Sequence, residues 1–121
     1  MEQAAFEDLV STALEGLPAD IQALMENVEV VVAPFPTDRQ LRRNSLSNRY
    51  SLLGLYEGVP LTKRGAQYGM VLPDKITIFQ IPIEANASTV EDLPASVRRV
   101  VVHEVGHHFG ITDQRLRELG Y

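Results

Sequence analysis

Apolar residues recur at helical spacing near the start of the chain. Phe6, Leu9, Val10, Ala13, Leu14 and Leu17 fall on one stripe and predict an amphipathic helix over residues 4–16. Pro18 suits a first helical position, and Ile21, Leu24 and Met25 give a second, short helix one apolar face. The pattern then changes. "VEVVVA" (28–33) is short, β-branched and almost wholly apolar, as a buried strand is, and "PFP" ends it. Residues 37–50 are polar and basic without a period and read as a loop. "SLLGLYEG" (51–58) reads as a strand with Gly54 inside it and a turn at Gly58. The next stretch is glycine-containing loop with room for a short strand at 69–72. "KITIFQIPI" (75–83) has the strongest strand pattern, and Pro82, which cannot donate to a ladder, predicts an edge strand or a strand end. Ser88 and Glu91 have capping-box spacing. Pro94 opens a long helix that runs to Phe109, Gly110 is placed to turn the chain at positive φ, and Thr112 caps a last helix over 113–119. Helices around a small mixed sheet make this an α+β chain, and 121 residues suit one domain, 1–121.

Composition narrows the chemistry. With 45% hydrophobic residues the chain can bury a core without staples, and with no cysteine it has neither disulfides nor thiolate metal ligands. A formal charge of −5 argues against nucleic acid as a partner. Arg39, Arg42, Arg43 and Arg49 therefore read as a solvated loop rather than an anion or RNA contact. "MEQAAFEDLV" lacks the basic start of a signal peptide, and no apolar run reaches membrane-spanning length, so the expectation is a soluble, cytoplasmic protein with no membrane partner. On that expectation the "NAS" sequon at Asn86 is idle.

All three histidines lie within "HEVGHH" (103–108). On a helix at about 100° per residue, His103 and His107 stand roughly 40° apart, one turn above the other, so both imidazoles can address one atom. Val97, Val101, Val105 and Phe109 form a separate apolar face, with Glu104 on its edge. His-Glu-x-x-His is the spacing in which the histidines hold zinc and the glutamate acts as general base. Gly110 lets the chain turn back, and Asp113 arrives three residues later as a candidate third ligand, which leaves a fourth position for water. A histidine-rich helix end favoured by the helix dipole would explain neither Glu104 nor the glycine spacing. His108 falls on the apolar face and reads as a core histidine bonded to backbone or carboxylate.

"HEVGHHFGITD" resembles the H-E-x-x-H-x-x-G-x-x-D motif of zincin metallopeptidases, and in size and in "HEVGHHFG" the chain is most similar to the small bacterial zincin-like metallopeptidases, the minimal zincins. At the motif it also resembles metzincins and the secreted proteases of the snapalysin type. The resemblance implies a minimal zincin-like fold, with N-terminal helices, a small mixed sheet and a C-terminal active-site helix. It further implies zinc (Zn2+) held by His103, His107 and Asp113, Glu104 as the catalytic base, and an extended peptide or protein substrate paired along the strand at 75–83. The chain departs from the metzincins in having no methionine after Asp113: Met1, Met25 and Met70 all precede it. The lower part of the cleft is then expected to be missing or built from N-terminal segments.

A zinc-dependent metallopeptidase is the leading function, with Tyr50, Tyr56, Tyr68 and Arg64 as candidate donors to the oxyanion. A zincin-like binding or scaffold protein with little activity is the first alternative. A metal-dependent ribonuclease of the ribosomal-RNA maturation type, with a similar H-x-x-x-H-x-x-G motif, is the second. Glu104, Asp113 and the acidic charge count against the ribonuclease.

Overall fold

The computed structural model describes residues 1–58 and 74–118, the side chain of Asp113 excepted. Helix α1 (Gln3–Glu15) buries Phe6, Val10 and Ala13 at i, i+4 and i+7, the stripe the period predicts. Helix α2 (Ala19–Leu24) follows, with Pro18 as its N-cap and Ile21 as its buried residue, and a 3₁₀ turn (Met25–Asn27) leads into strand β1 (Val28–Ala33).

Residues 38–43, read from the sequence as loop, form helix α3 (Asp38–Arg43). The cause is local. Thr37 and Gln40 make a reciprocal capping box: the Gln40 N–H donates to Thr37 Oγ1 at 3.1 Å, and the Thr37 N–H donates to Gln40 Oε1 at 2.9 Å. Ser88 and Glu91 have the same spacing but no such box forms there. Thr89 Oγ1 takes the Asp92 N–H instead, at 3.3 Å, and the helix begins only at Leu93.

The described strands form one mixed sheet in the order β1-β3-β2. Strand β3 (Asp74–Phe79) pairs parallel with β1 from Val28↔Asp74 to Ala33↔Phe79, and antiparallel with β2 (Gly54–Glu57) from Gly54↔Ile78 to Glu57↔Lys75. This corrects the edge strand expected at 75–83. Both sides of β3 are occupied, so no peptide can add along it. Successive residues of a strand face opposite sides, and Ile76, Thr77, Ile78 and Phe79 are all buried, so both faces of β3 are covered, as a central strand requires. The strand also stops at Phe79. Gln80–Asn86 is helix α4, and Pro82 sits in its first turn, where an amide hydrogen has no intrahelical acceptor to lose. The expected strand at 69–72 and residue 119 of the expected last helix lie outside the described residues.

Helix α5 (Leu93–Phe109) carries Pro94 in its first turn and buries Val97, Val101, Val102 and Val105 in a core shared with Phe6, Val10, Ile76 and Ile78. It is therefore wedged between α1 and the sheet. It ends as the sequence requires: Gly110 adopts φ 67°, its N–H donates to His107 O at 3.3 Å, and the Ile111 N–H donates to Gly106 O at 2.8 Å. An added Cβ at Gly110 would meet nothing within 4 Å, so conformation rather than space calls for glycine. Thr112 then caps helix α6 (Asp113–Glu118), accepting the Arg115 N–H at 3.1 Å. No helix among the described residues is long and apolar enough to cross a membrane.

Candidate metal centre

The last turns of α5 carry His103, Glu104 and His107. His103 is half-buried and His107 exposed, so this helix side opens to solvent while the valines of the opposite side are sealed in the core. Two elements flank it. On one side Gly106, roughly 60° round the helix from His103, receives helix α6: an added Cβ there would stand 3.1 Å from Leu116 Cδ1, and Leu116 is buried. The missing side chain at 106 thus lets α6 close against α5 beside the histidines.

Strand β2 flanks the other side. An added Cβ at Gly54 would lie 2.9 Å from Glu104 Cγ and 3.0 Å from Val100 Cγ1, so the Glu104 side chain runs directly over the strand. The ladder fixes what it finds there. Phe79 N–H donates to Leu53 O at 3.0 Å. Backbone direction alternates along an antiparallel strand, so Leu53, Leu55 and Glu57 face β3, while the backbone groups of Gly54 and Tyr56 point away from it. The Tyr56 N–H donates to the Glu104 carboxylate. Burial pushes the Glu104 carboxyl above its ordinary pKa; His107, the Tyr56 amide and His103 oppose this without cancelling it.

His108 is a core histidine, as expected from its face. Its Nε2 lies 3.4 Å from Asp74 Oδ2, and its ring packs against Tyr56 (centroids 4.4 Å apart) and Phe109 (4.3 Å). No sequence signal singled out Asp74, because the pair joins the head of β3 to a helix far along the chain. The candidate oxyanion donors separate. Tyr56 approaches Glu104 through its amide, and its hydroxyl lies over Gly58, where an added Cβ would strike it. Tyr50 meets Phe35 edge-on at 5.4 Å, with the Arg49 guanidinium 4.1 Å above the Phe35 ring. Arg64 and Tyr68 lie outside the described residues.

The donor set suits zinc as far as it is described. Two imidazoles stand one turn apart on one helix, both near a carboxylate, and the chain reverses at Gly110 to bring the backbone of Asp113 to the start of α6. The Asp113 side chain is outside the description. Among the described residues no three His, Asp or Glu side chains are gathered to hold a metal.

A His-Glu-x-x-His helix on a small mixed sheet, closed by a glycine turn, defines the zincin class of metal-binding fold. The family model of the zincin-like metallopeptidases matches residues 25–121, and the chain belongs to that family. No curated protein matches it. The family as a whole implies zinc.

Proposed function

We propose that the protein is a zinc-dependent peptidase, in which His103, His107 and Asp113 hold the metal and Glu104 is the general base. The observation that carries this reading is the position of Glu104, between the histidine pair and the outer side of β2. Zinc bound there supplies a Lewis acid that makes water more acidic and polarises a carbonyl. Glu104 takes the proton of the attacking water as the carbon–oxygen bond forms, and returns it to the amide nitrogen as the carbon–nitrogen bond breaks. Its partial burial suits the first duty, since a carboxylate with a raised pKa is a stronger base than an exposed one, while the carboxyl that results is still far more acidic than the amine it protonates.

The substrate is an extended peptide, and β2 replaces residues 75–83 as the strand it pairs with. The outward N–H of Gly54 and the outward carbonyls of Gly54 and Tyr56 support strand addition there, next to Glu104, the Tyr56 N–H being taken by the Glu104 carboxylate. The test is hydrolysis of casein and a peptide library, with and without chelator, alongside metal analysis of wild type and Glu104→Gln. The variant is expected to retain zinc and lose turnover by at least about a hundredfold. Equal turnover in the two proteins would refute the mechanism. Zinc binding without cleavage by either would instead make the protein a metal-dependent binding module.

A further inference from the structure

We propose that Gly54 is a positioning residue for Glu104: the missing side chain at 54 is the gap through which Glu104 crosses β2 to reach the Tyr56 amide. This rests on the peptidase reading for its consequence in catalysis, but its geometry stands apart from it.

Glycine inside a strand weakens it unless something needs the space. Backbone conformation is not the reason at this position, because among the described residues Gly110 is the only glycine at positive φ. Space is the reason. Gly54 is buried, and the two atoms nearest to an added Cβ belong to α5: Glu104 Cγ at 2.9 Å and Val100 Cγ1 at 3.0 Å, with Glu104 Cδ next at 3.4 Å. A methyl group at 54 would therefore meet the middle of the Glu104 chain rather than its free end. The carboxylate is anchored two residues further along the same strand, by the Tyr56 N–H. Gly54 and Tyr56 lie on the same side of the β2 ladder, since alternate residues share a direction. A displaced Cγ thus draws the carboxylate away from its anchor. Val100, one turn before Glu104, forms the other wall of the gap.

The test uses amide hydrogen exchange in the zinc-free protein. Leu55 and Glu57, whose backbone groups face β3, serve as internal controls. Glu104→Ala sets the reference for a Tyr56 amide that has lost its acceptor. Gly54→Ala is expected to accelerate Tyr56 exchange to that reference level, by about tenfold, while Leu55 and Glu57 keep their protection. Adding Val100→Ala opens the other wall, lets the new methyl lean away from Glu104, and is expected to restore protection of Tyr56. In the zinc-loaded enzyme Gly54→Ala should lower kcat by about tenfold or more with KM and zinc content little changed, and Val100→Ala should recover much of it. Equal acceleration of Leu55, Tyr56 and Glu57 would make Gly54 a packing residue only and overturn the proposal, as would an unchanged Tyr56. If Gly54→Ala does not fold, the double variant is compared with Val100→Ala alone, and a Tyr56 amide as exposed as in Glu104→Ala, without any fall in kcat, would refute the role. An inactive wild type would sink the peptidase reading while the exchange data still decide on Gly54.

Discussion

Asp74 Oδ2 lies 3.4 Å from His108 Nε2, and the contact ties the first residue of β3 to the last turn of α5, next to His107. Both side chains are largely buried, and the imidazole packs at steep angles against the rings of Tyr56 and Phe109. Asp74→Ala takes a carboxylate away from a buried ring. The expected cost is about 1–3 kcal/mol of stability, read as a lower urea midpoint at unchanged m-value. A midpoint equal to wild type would show that the pair contributes nothing to holding the helix on the sheet.

Asp113 opens α6 immediately after the Thr112 cap, a position where an acid also favours the helix dipole. The two roles separate under competitive titration with a zinc chelator. Asp113→Ala is expected to weaken zinc affinity by about tenfold or more, and Asp113→His to restore it. A variant with lowered metal-free stability but wild-type affinity would leave Asp113 as a helix-start acid alone. Glu118 would then be the acid to test next, although Arg115 Nη1 already holds it at 3.2 Å.

Burial raises the Glu104 pKa, so the folded protein binds this proton more tightly than the unfolded chain does. That contribution is fully present below the unfolded carboxyl value, about 4.3, and is lost as pH rises through the higher folded value. Glutamine at 104 never acquires the buried charge. With metal removed, Glu104→Gln should therefore melt close to wild type near pH 4 and above it at neutral pH. A wild type that melts at or above the variant at neutral pH would mean that the histidines and the Tyr56 amide outweigh burial.

Gly110 holds φ 67° at the end of α5 with open space around it. Gly110→Ala should cost about 1–2 kcal/mol, and Gly110→Asn less, because asparagine tolerates the left-handed region. Thermal melts of the metal-free proteins measure this directly. Zinc affinity should fall further in the alanine variant if the turn also sets the approach of Asp113.

The histidine pair was legible because one helical period places residues four apart on one face, and a glycine then stops the helix. Strand β1 was legible for a similar reason, a short apolar run closed by proline, but not as the buried strand that run suggests: it lies at an edge of the described sheet and its residues are at most half-buried. The order of strands was not. Nothing local in "KITIFQIPI" says that its neighbours are β1 and β2, and Pro82 misled because proline fits a helix's first turn as well as a strand's end. The helix after Thr37 could have been found from the Thr-x-x-Gln spacing alone. Gly54 carried a usable sign too, since glycine within a strand pattern marks close approach, but which residue approaches was fixed only by the packing of α5 on β2.

Helix α1 shares its core with α5, so the first helix of the chain waits for the histidine-bearing helix before its apolar stripe is covered. The parallel pairing of β1 with β3 likewise depends on a long stretch of chain closing first. On a ribosome, α1 and β1 emerge well before the partners that bury them, and the contacts that reward closure are distant ones. The helix that carries the histidines is therefore also the wedge that joins the core residues of α1 to those of the sheet. A half-made molecule would expose apolar surface, and the histidine pair would take its place beside β2 only as that surface is covered.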